Sequence, residues 1–337
     1  MHRILSVFIF VVVLVGCQNR SETNVDIHGE TTIFSGDAMT MHYRIIVGKV
    51  LDNTQLHAVS TLIEETFQEV NDIYNKWNPK SELSRLNRLP AKTKVVISPE
   101  LESILEKTDL IVRLSEGRFD PTIEPLQALW KKALVNQIVP SKEEIAVVAP
   151  TIGWDLIHFD GGVFEKDHSL TQLDLGGIAK GLAIDIMLER LQEMGYRDLF
   201  VEWGGEIRAS GQHPDSRPWT VFISKLGSED PDHAIDIVQL NNQAIATSGD
   251  YLQNWLVTHS DLSPKIYFHI FDPATLAPLE ITGASIASVS VIANDCALAD
   301  GLATAAMLFA NTEAAEAWAK SIKLRYPEIS FWIISRN

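Results

Sequence analysis

The run Leu173-Asp174-Leu175-Gly176-Gly177-Ile178-Ala179-Lys180-Gly181 sets a carboxylate, a double glycine and a lysine at the start of a helix-forming stretch. An apolar, β-like approach ends at Asp174, and the glycines expose backbone groups just before a helix N-terminus, a geometry that suits phosphorylated ligands. Taken alone, such a turn is as readily a tight connection between two elements. Lys180 would add positive charge, although a first-turn lysine opposes the helix dipole. Further along, Asp300 and Thr304 stand at i and i+4 and share a helix face. A carboxylate and a hydroxyl one turn apart are hard donors that suit Mg²⁺, which completes its shell with water and phosphate oxygens. In isolation the pair reads first as an Asp helping a helix dipole and a Thr bonding back to its own chain. His269 ends an apolar run next to Asp272 and is the best candidate general base, because unperturbed imidazole titrates near neutral pH. His259, in a loop-like Thr-His-Ser, is a weaker one.

The elements that must hold these groups are legible in outline. Strand-like runs cover residues 43–47, 199–202, 219–223, 266–270, 286–293 and 329–334. Residues 53–74 carry helical periodicity, with Val59, Leu62, Ile63, Phe67, Val70 and Ile73 on one face. Ser98-Pro99 opens a helix running towards Gly117, and Ser141 to Glu144 has capping-box spacing. Residues 178–194, closed by Gly195, and 296–309 are two more helices. Strands and helices mix without strict alternation, which predicts an α+β fold. No linker, repeat or low-complexity segment divides the chain, so one large domain, or two lobes sharing a core, is expected.

Residues 1–17 read as a processing signal. A short basic start precedes an apolar run too brief to span a bilayer, which takes ~20 residues. Leu14-Val15-Gly16-Cys17 resembles a bacterial lipobox, with cleavage before Cys17 and lipidation of that cysteine; an ordinary secretory signal with a chance cysteine is the alternative. Gln18 in place of Asp favours the outer over the inner membrane. Residues 18–30 are polar and read as a tether, leaving 31–337 as the folded domain. Cys296 is then the sole remaining cysteine, so no intrachain disulfide forms. The net charge of −16 argues against nucleic acid and broad adhesion to anionic lipid. It also means that an anionic ligand needs a local cation.

Several further runs fall in a distinctive order: Ser81-Glu82-Leu83-Ser84-Arg85-Leu86-Asn87 after Trp77, Gly117-Arg118-Phe119-Asp120-Pro121-Thr122, Gly204-Gly205-Glu206-Ile207, Ala246-Thr247-Ser248-Gly249-Asp250-Tyr251 and His269-Ile270-Phe271-Asp272-Pro273. With the glycine turn between them and Asp300–Thr304 near the end, the chain resembles the ApbE family of FAD:protein FMN transferases, from about Ala38 onward. The resemblance implies an α+β domain with two lobes around a flavin cleft, in a Mg²⁺-dependent, lipid-anchored enzyme on the periplasmic side of the bacterial envelope. Such an enzyme cleaves FAD, releases AMP and attaches FMN to a Thr or Ser hydroxyl of acceptor flavoproteins in membrane redox complexes. Some members instead hydrolyse FAD to FMN and AMP, and a non-catalytic FAD-binding lipoprotein is a further alternative.

By residue, the resemblance implies metal ligation by Asp300, Thr304 and the carbonyls of Gly177 and Ala303. FAD contacts fall to Met39, Trp77, Arg118, Phe119, Asp120, Asp174, Lys180 and Phe271, and proton transfer to His269. Three positions depart from the family pattern. Met39-Thr40-Met41 replaces Met-Gly-Thr, which predicts a different backbone path; Arg118 replaces a small residue, which predicts an added phosphate contact; and Leu276 replaces a glycine whose φ > 0 turn it could keep only with strain.

Overall fold

The computed structural model describes residues 23–224, 231–250, 254–258 and 264–336. Cys17 with its signal segment, and His259, lie outside them. The chain opens with strands β1 (Asn24–His28), β2 (Thr31–Ala38) and β3 (Met41–Val47). Helices α1 (Asn53–Ile73) and α2 (Glu82–Asn87), strand β4 (Val95–Val96), and helices α3 (Pro99–Leu114), α4 (Glu124–Val135) and α5 (Lys142–Val148) follow. Strands β5 (Ile157–Asp160) and β6 (Val163–Lys166) lead to helix α6 (Ala179–Glu193). Next come β7 (Leu199–Trp203), β8 (Glu206–Ser210), β9 (Trp219–Ser224), β10 (Ala234–Leu240) and β11 (Ala244–Gly249). Strands β12 (Asn254–Thr258), β13 (Pro264–Asp272), β14 (Ala277–Glu280) and β15 (Ile286–Ala293) precede helices α7 (Cys296–Met307) and α8 (Thr312–Arg325) and strand β16 (Ser330–Ser335).

An eight-stranded antiparallel sheet, in the order β1-β2-β3-β7-β8-β11-β15-β16, organises this α+β fold. Helices α6 and α7 pack against one face. The β9–β10 hairpin covers part of the other, where Trp219, Ile223, Val238 and Leu240 meet Phe200, Ile207 and Ile245. Strand β15 is covered on both faces and buried at every position, Ser288 and Ser290 included, which explains why it carries no charged residue.

Local signals hold where they are strongest. Helix α1 starts at a capping box of Asp52 and Gln55 and buries Val59, Ile63, Thr66 and Val70. Ser98 and Ser141 cap α3 and α5 as expected, the latter with Glu144. One boundary differs. Residues 24–28, expected in the tether, pair with β2 as an exposed edge strand, because Gly29 (φ +59°) turns the chain back on itself. The Met39-Thr40 departure does not abolish the turn: both residues sit at positive φ (+47° and +69°) in a two-residue hairpin of the kind that favours Asn-Gly. Leu276 likewise takes φ +55°, and its carbonyl accepts the Trp130 indole N–H at 3.0 Å.

Two helices meet almost backbone to backbone. A Cβ on Gly181 of α6 would lie 2.3 Å from the Cys296 carbonyl oxygen at the start of α7. One turn further on, the Asp185 carboxylate accepts the N–H groups of Cys296 (2.8 Å) and Ala297 (2.9 Å) and pairs with Arg208 at 2.8 Å. Burial pushes its pKa up to about 6, with Arg208 opposing.

Gly181→Ala is expected to cost about 1–3 kcal/mol or more, because the obstructing atoms are backbone. A melting temperature equal to the parent's would show that the two helices are not in close contact. Thr40→Gly is expected to raise stability by about 1–2 kcal/mol by relieving a β-branched residue at positive φ. An unchanged or lower melting temperature would contradict that strain.

Candidate active site

The approach to the double glycine is not a sheet strand, contrary to the β-like reading. Residues 172–174 are extended, with one isolated parallel bridge, Ile123 to Gln172. The Asn87 side chain grips Leu173 from both sides, donating to its carbonyl (2.9 Å) and accepting its N–H (2.7 Å), and Asp174 N–H donates to the Pro121 carbonyl at 2.7 Å. Asp174 then uses both carboxylate oxygens. Oδ1 accepts the Gly176 N–H at 2.8 Å, shaping the turn, and Oδ2 takes the Lys76 ammonium at 2.8 Å. Lys76 also pairs with Glu124 and lies 4.9 Å from the centre of the Trp77 ring. Burial works against ionised Asp174, but the Lys76 charge and hydrogen bond hold its carboxyl below the usual range. Burial raises Glu124 despite the same lysine.

Past the turn, α6 carries Lys180 against α7. Its ammonium sits 3.1 Å from Glu206 Oε1, 3.4 Å from both oxygens of Asp300 and 3.4 Å from the Gly176 carbonyl. Burial disfavours the charge, yet the two carboxylates hold the Lys180 pKa above its ordinary value. Burial pushes Glu206 up to about 8, with Lys180 opposing. Gly181 N–H, one of the first-turn donors that a helix leaves without an internal acceptor, donates to Asp300 Oδ2 at 3.2 Å. Thr304 Oγ1 lies 3.0 Å from Ser248 Oγ and 3.3 Å from where a Gly177 Cβ would stand. The Gly177 turn, Asp300 and Thr304 therefore converge on one point, reached from two helices and strand β11. Behind it, Arg336 at the end of β16 forms an ion pair with the buried Asp250.

A cavity of about 880 Å³ opens over this cluster, within the size range of small-molecule sites. Trp77, Arg118, Phe119, Asp120, Asp174, Gly177, Lys180, His269, Phe271, Asp300 and Thr304 all line it. Trp77 is 74% exposed, more consistent with a ligand platform than a core anchor. The Arg118 guanidinium lies 4.0 Å from the Phe309 ring centre, so this departure is braced beside the cavity. Asp120 accepts the Thr122 N–H and hydroxyl and shapes its own turn. Asp272 does not orient His269 through a visible contact; its carboxylate accepts the Ala274 N–H at 2.8 Å.

Two expected positions do not reach the cavity. Met39 sits at the hairpin tip and packs against the core, so Met41, just past the turn, lines the wall in its place. Ala303 is fully buried in α7, where its carbonyl falls within the helical ladder. Reading the sequence missed three participants: Glu206, visible only as the residue after a double glycine, and Lys76 and Asn87, whose partners lie far away along the chain. Among the described residues, no cluster of three or more His, Cys, Asp or Glu side chains is arranged to hold a metal. The donor set here, one carboxylate, one hydroxyl and a turn carbonyl, instead suits Mg²⁺ that shares its shell with phosphate.

Known proteins resemble this chain over most of its length. The model of the ApbE family matches residues 39–326. A Chlamydia pneumoniae protein named FAD:protein FMN transferase is 39% identical over 293 residues, covering 86% of this chain and 89% of its own. A Vibrio cholerae protein of the same name is 31% identical over 300 residues, covering 88% and 85%. Among solved structures, the flavin transferase ApbE from Vibrio cholerae matches with TM-score 0.75 and 30% identity, covering 91% of this chain and 94% of that one. The apo form of the Pseudomonas stutzeri flavinyl transferase ApbE matches with TM-score 0.78 and 27% identity, covering 94% and 92%.

Lys76→Met leaves Asp174 and Glu124 buried without their shared cation and is expected to cost about 3–5 kcal/mol at pH 7. The pH dependence should invert. In the parent, the lowered Asp174 pKa gives stability that is present above the ordinary value of 3.8 and is lost as pH falls through the lowered one. In the variant, the facing carboxylates bind a proton more readily when folded than unfolded, so stability rises as pH falls from 7 to 5. Urea denaturation at both pH values checks this; equal destabilisation at pH 7 and 5 would rule it out.

Proposed function

The chain belongs to the ApbE family, and from that premise we propose that it binds FAD in this cavity and transfers FMN to a Thr or Ser hydroxyl of a target protein, releasing AMP. The observation that carries the reading is the convergence of Lys180, Asp300, Thr304 and the Gly177 turn at the floor of one cavity. In a chain of net charge −16, this cluster offers a place where a diphosphate can be neutralised.

The residues divide the work. Asp300, Thr304 and the Gly177 carbonyl would hold Mg²⁺, which when bound neutralises phosphate oxygens and polarises the phosphorus under attack. Lys180 supplies a positive charge beside that point, and Arg118 a second at the cavity wall. Trp77 offers a flat surface on which a ring can stack, worth ~1–3 kcal/mol by analogy with base stacking. His269, on the cavity wall, accepts the proton of the attacking hydroxyl. A new O–P bond forms to the FMN phosphorus, the bridging P–O bond breaks, and AMP leaves with that oxygen. Positioning and charge neutralisation supply most of the barrier reduction in such transfers.

We further infer that Cys17 is lipidated and anchors the enzyme on the periplasmic side of the envelope, with the outer membrane favoured by Gln18. The acceptors are then flavin-carrying proteins of membrane redox complexes. The support is the basic start, short apolar run and lipobox-like Leu14–Cys17. Among the described residues no helix is long and apolar enough to cross a membrane.

With FAD and Mg²⁺ the purified protein is expected to release AMP, and with an acceptor protein to give a flavin-fluorescent band in a denaturing gel. AMP without the band would identify a pyrophosphatase, and tight FAD binding with neither product a carrier. Asp300→Ala is expected to lower turnover about a hundredfold or more while the fold persists. Unchanged turnover would remove Asp300 from the metal site.

A further inference from the structure

Glu206 has no assigned part in this chemistry, yet it is among the most deeply buried charged groups of the cavity. Its side chain is 4% exposed and Asp300's is 3%. One of its oxygens, Oε1, takes the Lys180 ammonium at 3.1 Å. The other, Oε2, is buried with no hydrogen-bond partner among the described residues. A vacant buried acceptor beside an ammonium is costly unless another state of the site fills it.

We propose that Lys180 and a divalent cation take turns on the Asp300 carboxylate, and that Glu206 is the counter-site that receives the lysine when the cation is in place. This rests on the metal reading above. Lys180 now spreads its three donors over Glu206 Oε1, the Asp300 carboxylate and the Gly176 carbonyl, closest to Glu206. At 3.4 Å from both Asp300 oxygens, the ammonium stands where it would repel an ion bonded to either of them. The donor it withdraws from Asp300 has a ready destination in Glu206 Oε2. The movement needs only the end of a flexible side chain. Gly204 and Gly205, at φ +61° and +95°, form the turn just before Glu206 that brings its carboxylate to the lysine. In this arrangement the lysine balances two buried carboxylates while the ion is away. It stays beside the diphosphate as a second positive charge once the ion has bound.

Mn²⁺ serves as the probe, titrated by electron paramagnetic resonance into the full-length protein without FAD. Glu206→Gln is expected to weaken Mn²⁺ binding about tenfold, because the lysine loses its alternative partner and competes harder for Asp300. Lys180→Met is expected to tighten it, and adding Glu206→Gln to Lys180→Met to change little, since no lysine remains to be held. Equal weakening by Glu206→Gln in both backgrounds would overturn the exchange and leave Glu206 as a distant charge only. Should Lys180→Met fail to fold, a crystal of the parent with Mn²⁺ decides. Lys180 Nζ is expected on both Glu206 oxygens and off Asp300, and an ammonium still 3.4 Å from Asp300 beside a bound ion would refute the proposal. Absence of Mn²⁺ binding to the parent would instead fail the metal reading and take this inference with it.

Discussion

The contact between α6 and α7 is the constraint on which the cavity depends. Lys180 belongs to one helix and Asp300 and Thr304 to the other, and they share a site only because the helices approach at Gly181 without a side chain between them. Asp185 then fastens the joint by capping two N–H groups at the start of α7. The same closeness lets the Gly181 amide, a first-turn donor with no acceptor inside its own helix, reach Asp300. Packing and chemistry are thus one arrangement: the glycine that lets the backbones touch also tethers the Asp300 carboxylate beside the turn.

Electrostatics in the cavity repeat a single device. Lys76 is shared by Asp174 and Glu124, and Lys180 by Asp300 and Glu206. In each case one buried ammonium is shared by two carboxyl groups, one of which burial pushes above its ordinary range. The first cluster supports the Trp77 wall and shapes the glycine turn through Asp174. The second lies where the ligand's charge would fall. Burial makes unpaired groups expensive in both, so each lysine fixes the geometry of its carboxylates as well as their charge.

What the sequence made legible follows from the range of the interactions involved. Caps at Asp52, Ser98 and Ser141 act over three residues, and the corresponding helices start where expected. Helix α4 follows Ile123, which provides no side-chain cap, and no signal announced it. Asp300 and Thr304 were readable because a helix repeats every turn, whereas Lys76 and Asn87 meet partners 98 and 86 residues away, which no local pattern encodes. Met39 takes the tip of a hairpin, and Met41, two residues on, lines the cavity wall. Thr40 and Leu276 show that a missing glycine can strain a turn rather than reroute it.

Cys296 lies at the heart of the α6–α7 joint, fully buried, and burial pushes its thiol well above the ordinary range. Thiolate is the reactive form, so this sulfur is shielded from alkylating and oxidising reagents by both access and ionisation. With Cys17 acylated or removed, a cysteine introduced on the exposed outer surface would therefore react alone with a maleimide dye. That makes the folded domain a natural single-label scaffold for following its encounters by fluorescence.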